Sequence, residues 1–316
     1  MLADPAILPF IGNPKEERAD LPLLPDLGMD AVKSFGSVPL FTRPRDPARR
    51  ATAAKFTELA LDFLTAHEFA HIANGHLDYY AENLGISAMD ETSEPPRGLR
   101  VRERMLVNQT MEMDADATAV VLNLSSEWGK VVGTFPRPGP EWDYVYDRPG
   151  IVSAQWAWAV LTLFRLFGEA RLIGGDVTLE PYPRPRLRSV MVQRAAGRVP
   201  RPRQLREHPA LEGDVLHKIP ATIRAAQPQV EEMISQVTGR PEATEGLDDA
   251  WGDAGEAQMR RLSTHWRSKL RAELRRFAYQ PLGHHSGSEG GAPVGDGDGG
   301  VRRSPAPFAP VLTRGG

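Results

Sequence analysis

A chain of 316 residues, 41% hydrophobic and 25% charged, is long enough for a buried core and has the composition of an ordinary globular fold. A net charge of −3 with a pI near 6.3 gives no electrostatic case for binding nucleic acid. The absence of cysteine excludes disulfides, thiolate metal ligands and cysteine nucleophiles, so any metal site must be built from His, Asp and Glu; a cytoplasmic location fits.

The first twenty residues carry no basic segment followed by a long apolar run, and no signal peptide is expected. Residues 1–50 are rich in Pro with apolar clusters ("ILPFIG", "LPLLPDLG", "SVPLFTRPRDP") and read as an extended arm on the domain, with short strands possible. A helix is predicted over residues 51–74. Phe56, Ala60, Phe63, His67 and His71 follow one another at helical spacing along one stripe, and Gly75 is its expected C-cap. "AENLGISAMDETSEPPRG" reads as a loop. A second helix is predicted over 99–124, with Leu106, Met113, Ala117, Val120 and Leu124 as its core stripe, and residues 127–150 read as irregular.

A third helix is expected over 151–167. Its apolar run, "WAWAVLTLF", is far short of the ~20 residues of a membrane span and reads as core. Helical structure is expected again up to about residue 194, then a Pro- and Arg-rich connection, a helix over 219–237 and the linker "TGRPEATEGLDD". An amphipathic helix over 259–277 follows, with Leu262, Trp266, Leu270 and Leu274 on one face. The end, from residue 283, is Gly-rich and low in complexity, the composition of a disordered tail. These readings give a mainly α fold, with α+β as the alternative. Its divisions are an arm (1–50), a domain (51–240), a linker with a C-terminal helix (241–282) and a tail (283–316).

The chemistry concentrates in "TAHEFAHIANGH", residues 65–76, where three of the eight histidines fall. On a helix, His67 and His71 project from one face about a turn apart, so both rings can bind one Zn²⁺, while Glu68 sits beside that face within reach of a water at the metal. A third ligand is needed. A metzincin-type site places a Gly three residues after the second His and another His three further on; here those positions are Asn74 and Leu77, so that pattern fails by register. A deformylase-type site needs a cysteine. A carboxylate from the second helix remains. In "QTMEMDADATAVV", Glu112 and Asp116 lie four apart on one face; Glu112 is the expected third ligand, and Asp116 the partner of a ligand histidine's far nitrogen. Asp114 ranks below them. His76 is read as structural, a cation at the helix end or the partner of an acid such as Asp78.

"HEFAHIANGH" followed by "EMDAD" resembles the gluzincin zinc peptidases. The Glu-x-x-Ala-Asp pattern at Glu112, Ala115 and Asp116 is similar to that of the CAAX-prenyl-endopeptidase clan. The form of the first motif more closely resembles the small bacterial proteases of the phage-exclusion Lit type and of the ImmA/IrrE type. "YPRPRLR" sits where the CAAX-type enzymes carry a His-Pro segment with a downstream Arg, and this sequence has Tyr182 in place of that His. The resemblance covers about residues 51–124 and implies a helical zincin-like core, one zinc per chain and peptide hydrolysis of an intracellular protein, in a regulatory or phage-defence setting.

The expected chemistry is then zinc-assisted hydrolysis of a protein or peptide with Glu68 as general base. Tyr182, His208 and His217 are candidates for stabilising the oxyanion, with Tyr182 placed first. The alternative is a protein that keeps the fold without catalysis and binds a partner, through the Pro-rich arm, the 259–277 helix or the Arg-rich strip over 184–206. Nucleic acid on that strip is argued against by the overall charge and by the lack of interleaved aromatics.

Overall fold

The computed structural model describes Leu2, Leu8 and residues 11–17, 44–84, 99–139, 142–168, 185–197, 199, 218–238 and 252–282. The chain is mainly α, and no strand occurs among the described residues.

Helix α1 (Pro47–Ala73) starts where the sequence supplies both a cap and a preset first turn. Asp46 accepts the backbone N–H of Arg49 at 2.8 Å, and Pro47 takes the first helical position. The beginning of the chain is tied to this turn. Fully buried Arg49 donates to the carbonyls of Leu2, Leu8 and Ile11, each at 2.9 Å, and Glu17 accepts the N–H groups of Arg45 and Asp46 at 3.0 Å. The rest of the Pro-rich arm, 18–43, lies outside the described residues.

Gly75 ends α1 with φ +78, the left-handed region that a residue with a Cβ adopts only at a cost. The chain turns there and α2 (His76–Leu84) begins at once, so the first residues of the expected 81–98 loop are helical and the remainder lies outside the described residues. A side chain is also excluded at Gly75 by space: a Cβ would stand 2.5 Å from the backbone of Phe277. The C-terminal segment crosses at this point, and the Tyr279 N–H reaches the Ala73 carbonyl at 2.9 Å.

Helix α3 (Leu99–Val131) runs two turns past the predicted end at 124. The extra turns have partners. Buried Glu127 pairs with buried Lys55 at 3.2 Å, Tyr146 takes a hydrogen bond from that lysine at 2.9 Å, and Trp128 enters the core. Nor is burial on α3 confined to one stripe. Every residue from Gln109 to Asp116 is buried, whereas Leu106 and Ala117 are only half-buried. This helix is central and packed on several sides, which a one-stripe reading does not capture.

Residues 127–150, expected to be irregular, hold the end of α3, the short α4 (Asp143–Tyr146) and the start of α5 (Pro149–Gly168). Helix α6 (Pro185–Ala196) and α7 (Ile219–Thr238) follow. The chain then forms α8 (Asp253–His265), a π-helical turn (Trp266–Leu270) and α9 (Arg271–Leu274). Leu262, Trp266, Leu270 and Leu274, all fully buried, repeat every four residues. On a straight α-helix such a stripe drifts by about 40° per step; the wider turn at its centre takes up that drift.

Helices α1 and α3 run antiparallel, as the pairings Lys55–Glu127 and His71–Glu112 require. One core gathers Leu59 and Phe63 of α1, Val120, Leu124 and Trp128 of α3, Trp156 and Phe164 of α5, and Ile223 and Ile234 of α7. A second joins Met111 and Met113 of α3 to Leu187 and Met191 of α6 and to the C-terminal stripe. The C-terminal helix therefore packs within the same compact unit, Met1–His285. Among the described residues, no helix is long and apolar enough to cross a membrane.

Two glycines of like conformation make a test. At Gly133, φ +74, a Cβ would meet nothing within 4 Å. Gly133→Ala is expected to cost about 1–2 kcal/mol of unfolding free energy, the left-handed penalty alone. Gly75→Ala adds a backbone collision and is expected to cost at least about 1 kcal/mol more, both read from denaturant melts; equal losses would show that the crossing of the C-terminal segment is loose.

Candidate metal centre

His67 and His71 on α1 and Glu112 on α3 converge in the seam between those helices, all three buried. The two Nε2 atoms are 3.1 Å apart. Glu112 offers one oxygen to each ring: Oε2 is 3.3 Å from His67 Nε2, and Oε1 is 3.3 Å from His71 Nε2. Ligand atoms set ~2.0–2.1 Å from one tetrahedral centre stand about 3.3 Å from each other. Each ring nitrogen thus stands at about that spacing from the other and from one oxygen of the Glu112 carboxylate, and these residues are close enough to hold a metal ion. Glu112 Oε2 is a buried carboxylate oxygen with no hydrogen-bond partner; only ion-pair contacts, from His67 Nε2 at 3.3 Å and Arg188 Nη2 at 3.9 Å, offset its charge, which leaves its lone pairs open to a metal.

Without an ion the charges compensate one another. Burial disfavours the charged form of His67, but the contacts with Asp116 and Glu112 outweigh it and push its pKa up to about 10. Burial likewise opposes the Glu112 carboxylate, and its contacts with His67 and His71 hold it well below the usual carboxylate range.

Asp116 lies on the same face of α3 one turn further along, with Oδ1 3.0 Å from His67 Nδ1, the nitrogen that faces away from Glu112. The contact is close but not aligned as a hydrogen bond. Asp116 is itself gripped by Arg188 of α6, which donates Nε to Oδ2 at 2.9 Å and Nη2 to Oδ1 at 2.7 Å. Burial opposes the Asp116 charge, and the Arg188 guanidinium and His67 hold its carboxyl below the usual range. Arg188 is the last residue of "YPRPRLR", so the sequence signal for it was the downstream Arg of that segment. Tyr182, at the start of the segment, and His208 and His217 lie outside the described residues.

Glu68 follows His67 on α1 and is exposed. With His67, Phe63, Leu64, Leu163, Phe164 and Arg188 it lines a pocket of about 230 Å³. Arg188 lies over the Phe164 ring, 4.6 Å from its centroid, which holds the guanidinium at the pocket wall.

One residue differs from expectation, and a second keeps its lower rank as a ligand. His76 is neither a helix-end cation nor the partner of Asp78, which accepts the Tyr279 hydroxyl instead at 3.1 Å. His76 is fully buried, and burial lowers its pKa despite the hydrogen bond to Asp114. Its Nδ1 is 2.9 Å from His71 Nδ1, and its Nε2 is 3.2 Å from Asp114 Oδ2. The turn at Gly75 is the cause: a continuing α1 would carry position 76 away from the metal face, and the break swings it back. Asp114 is not among the candidate ligand atoms; its Oδ2 meets His76 behind His71. It is 1% exposed and also accepts Asn74 Nδ2 at 2.6 Å, so it belongs to the back wall of the site. No member of the Glu112, Asp114 and Asp116 set is a solvated helix edge.

A second acidic group, Glu58, Asp62 and Glu127, already has cations: Lys55 contacts Glu58 and Glu127 at 3.1 and 3.2 Å, and Lys130 contacts Glu127 at 2.6 Å. No family model, curated protein or solved structure matches the chain.

The raised His67 pKa sets a pH dependence. Its imidazolium stabilises the metal-free fold fully below the ordinary value of 6.5, and that contribution is lost as pH rises toward about 10. A metal can take Nε2 only from the deprotonated ring. Metal uptake at pH 7.5 is therefore expected to release about one proton, and affinity should climb with pH up to about 10. Calorimetry in buffers of different ionisation enthalpy measures the proton count; a count near zero would show that His67 is not displaced from its protonated form.

Proposed function

We propose that the chain is a zinc-dependent peptide hydrolase acting on a protein or peptide, with His67, His71 and Glu112 as the metal ligands and Glu68 as general base. The carrying observation is two buried imidazole nitrogens 3.1 Å apart, each 3.3 Å from one oxygen of the buried Glu112 carboxylate, with His67 lining a pocket that an exposed carboxylate on the same helix also lines. Two imidazoles with one carboxylate is a donor set that suits zinc, and three protein ligands leave one position for chemistry. Bound there, zinc supplies Lewis acidity toward water and toward a carbonyl oxygen.

The remaining work belongs to the protein's own residues. Glu68 takes a proton from water entering the pocket and returns it to the departing amine, a shuttle that needs an accessible carboxylate one position from a ligand. Asp116, braced by Arg188, fixes the His67 ring and leaves Nε2 free to coordinate. Phe63, Leu64, Leu163 and Phe164 form an apolar wall for the substrate, and Arg188 keeps a positive charge at its edge. A purely partner-binding role leaves unexplained why the carboxylate at position 68 stands open in the pocket beside His67.

The test separates metal from catalysis. Glu68→Gln is expected to keep one zinc per chain and to lose peptide cleavage by about 10²- to 10⁴-fold, measured on a peptide library with zinc counted by atomic absorption. Full cleavage by this variant would remove Glu68 from the mechanism; no zinc in the wild-type protein would remove the proposal.

A further inference from the structure

The side of His71 away from Glu112 is closed by a line of buried polar groups that hydrolysis at the pocket does not use. His71 Nδ1 is 2.9 Å from His76 Nδ1, and His76 Nε2 is 3.2 Å from Asp114 Oδ2. Asn74 donates to the same Asp114 oxygen at 2.6 Å and to Thr118 Oγ1 at 3.1 Å, and Gln280 donates to Asn74 Oδ1 at 2.8 Å. His76, Asp114 and Asn74 are 0%, 1% and 3% exposed. Among the ligands, His67 has a carboxylate directly on its far nitrogen, whereas His71 has a second imidazole there.

Resting on the zinc reading above, we infer that His76 and Asp114 are positioning residues for the metal ligand His71, acting as a carboxylate–imidazole–imidazole relay. The logic is one of proton placement. A neutral imidazole carries one donor and one acceptor. Two Nδ1 atoms at 2.9 Å need one hydrogen between them. Once His71 commits the Nε2 lone pair to a metal, its single hydrogen sits on Nδ1, and that N–H donates to His76 Nδ1. His76 must then carry its hydrogen on Nε2, facing the Asp114 carboxylate. Every site in the line has one role, and the reverse tautomer of His76 would set two N–H groups against each other. The relay gives His71 what Asp116 gives His67: a fixed ring plane and greater basicity at the coordinating nitrogen. It also anchors the ligand to the C-terminal segment, because Gln280 completes the Asn74 amide and the Tyr279 N–H holds the Ala73 carbonyl.

The experiment combines affinity and proton position in the full-length protein. Zinc affinity, measured by chelator competition, is expected to fall about 10- to 100-fold in Asp114→Asn and in His76→Ala. His76→Asn, whose side-chain oxygen stands where Nδ1 stood and can accept from His71, is expected to recover part of that loss. A wild-type measurement guards against variants that fail to fold: long-range ¹H–¹⁵N correlation of histidine-labelled, zinc-loaded protein should show His71 protonated at Nδ1 and His76 protonated at Nε2 only. A His76 protonated at Nδ1, or variants that bind zinc as tightly as wild type, overturns the relay and leaves the zinc site standing. A wild-type protein that takes up no zinc overturns both.

Discussion

The structure turns on four ionisable side chains brought into one dry seam. His67, His71, Glu112 and Asp116 are between 0% and 4% exposed, and none could be buried alone at acceptable cost. They pair basic rings on α1 with carboxylates on α3, so the contacts form only when the two helices close in one register. The apolar seam between Leu59, Phe63, Val120 and Leu124 supplies the driving force for closure but tolerates sliding. The charged seam does not. A second buried pair, Lys55 with Glu127, lies on the far side of the apolar stretch and fixes the same register there. Two polar locks flanking a greasy middle hold the ligands of α1 against those of α3 without help from a loop, and sites carried on helices are positioned more sharply than sites carried on loops.

How much of this could be read from the sequence follows from how local each signal is. His67, Glu68 and His71 are fixed by spacing within a single helix, and the Glu112–Asp116 pair by the same rule on another. The helices themselves follow from period, cap and proline, as the Asp46–Pro47 start of α1 shows. What escaped depends on non-local contacts or on a single backbone angle. Gly75 signals a stop, but nothing in the chain says that a new helix begins at the next residue or that the turn swings His76 beneath His71. The role of Asp114 depends on that swing, since the returning imidazole joins Asn74 as its partner. The extension of α3 past residue 124 rests on the pairing of Glu127 with Lys55, seventy-two residues before it, and on a buried Trp128. The all-round burial of α3 is invisible to a one-stripe reading because its partners, α1, α6 and α8, come from distant parts of the chain.

The site has a pocket side and a closed side, lined by different polar residues. Toward the pocket stand Glu68 and Arg188, beside the apolar walls of Phe63, Leu64, Leu163 and Phe164. Away from it stand His76, Asp114, Asn74 and Gln280, bonded to one another. Each of the two histidines thus has its far nitrogen met from a different direction: His67 by Asp116, itself held by α6, and His71 by His76, itself held by Asp114 and, through Asn74, by the C-terminal segment. Bracing two rings that are four residues apart from separate elements restrains them independently. Rotation of one does not release the other, and the 3.1 Å separation of their Nε2 atoms becomes a property of the whole fold rather than of α1 alone. A helix by itself sets the spacing of two histidines but not the torsions of their rings; the neighbouring elements supply that second constraint, which turns a sequence motif into a site of defined geometry.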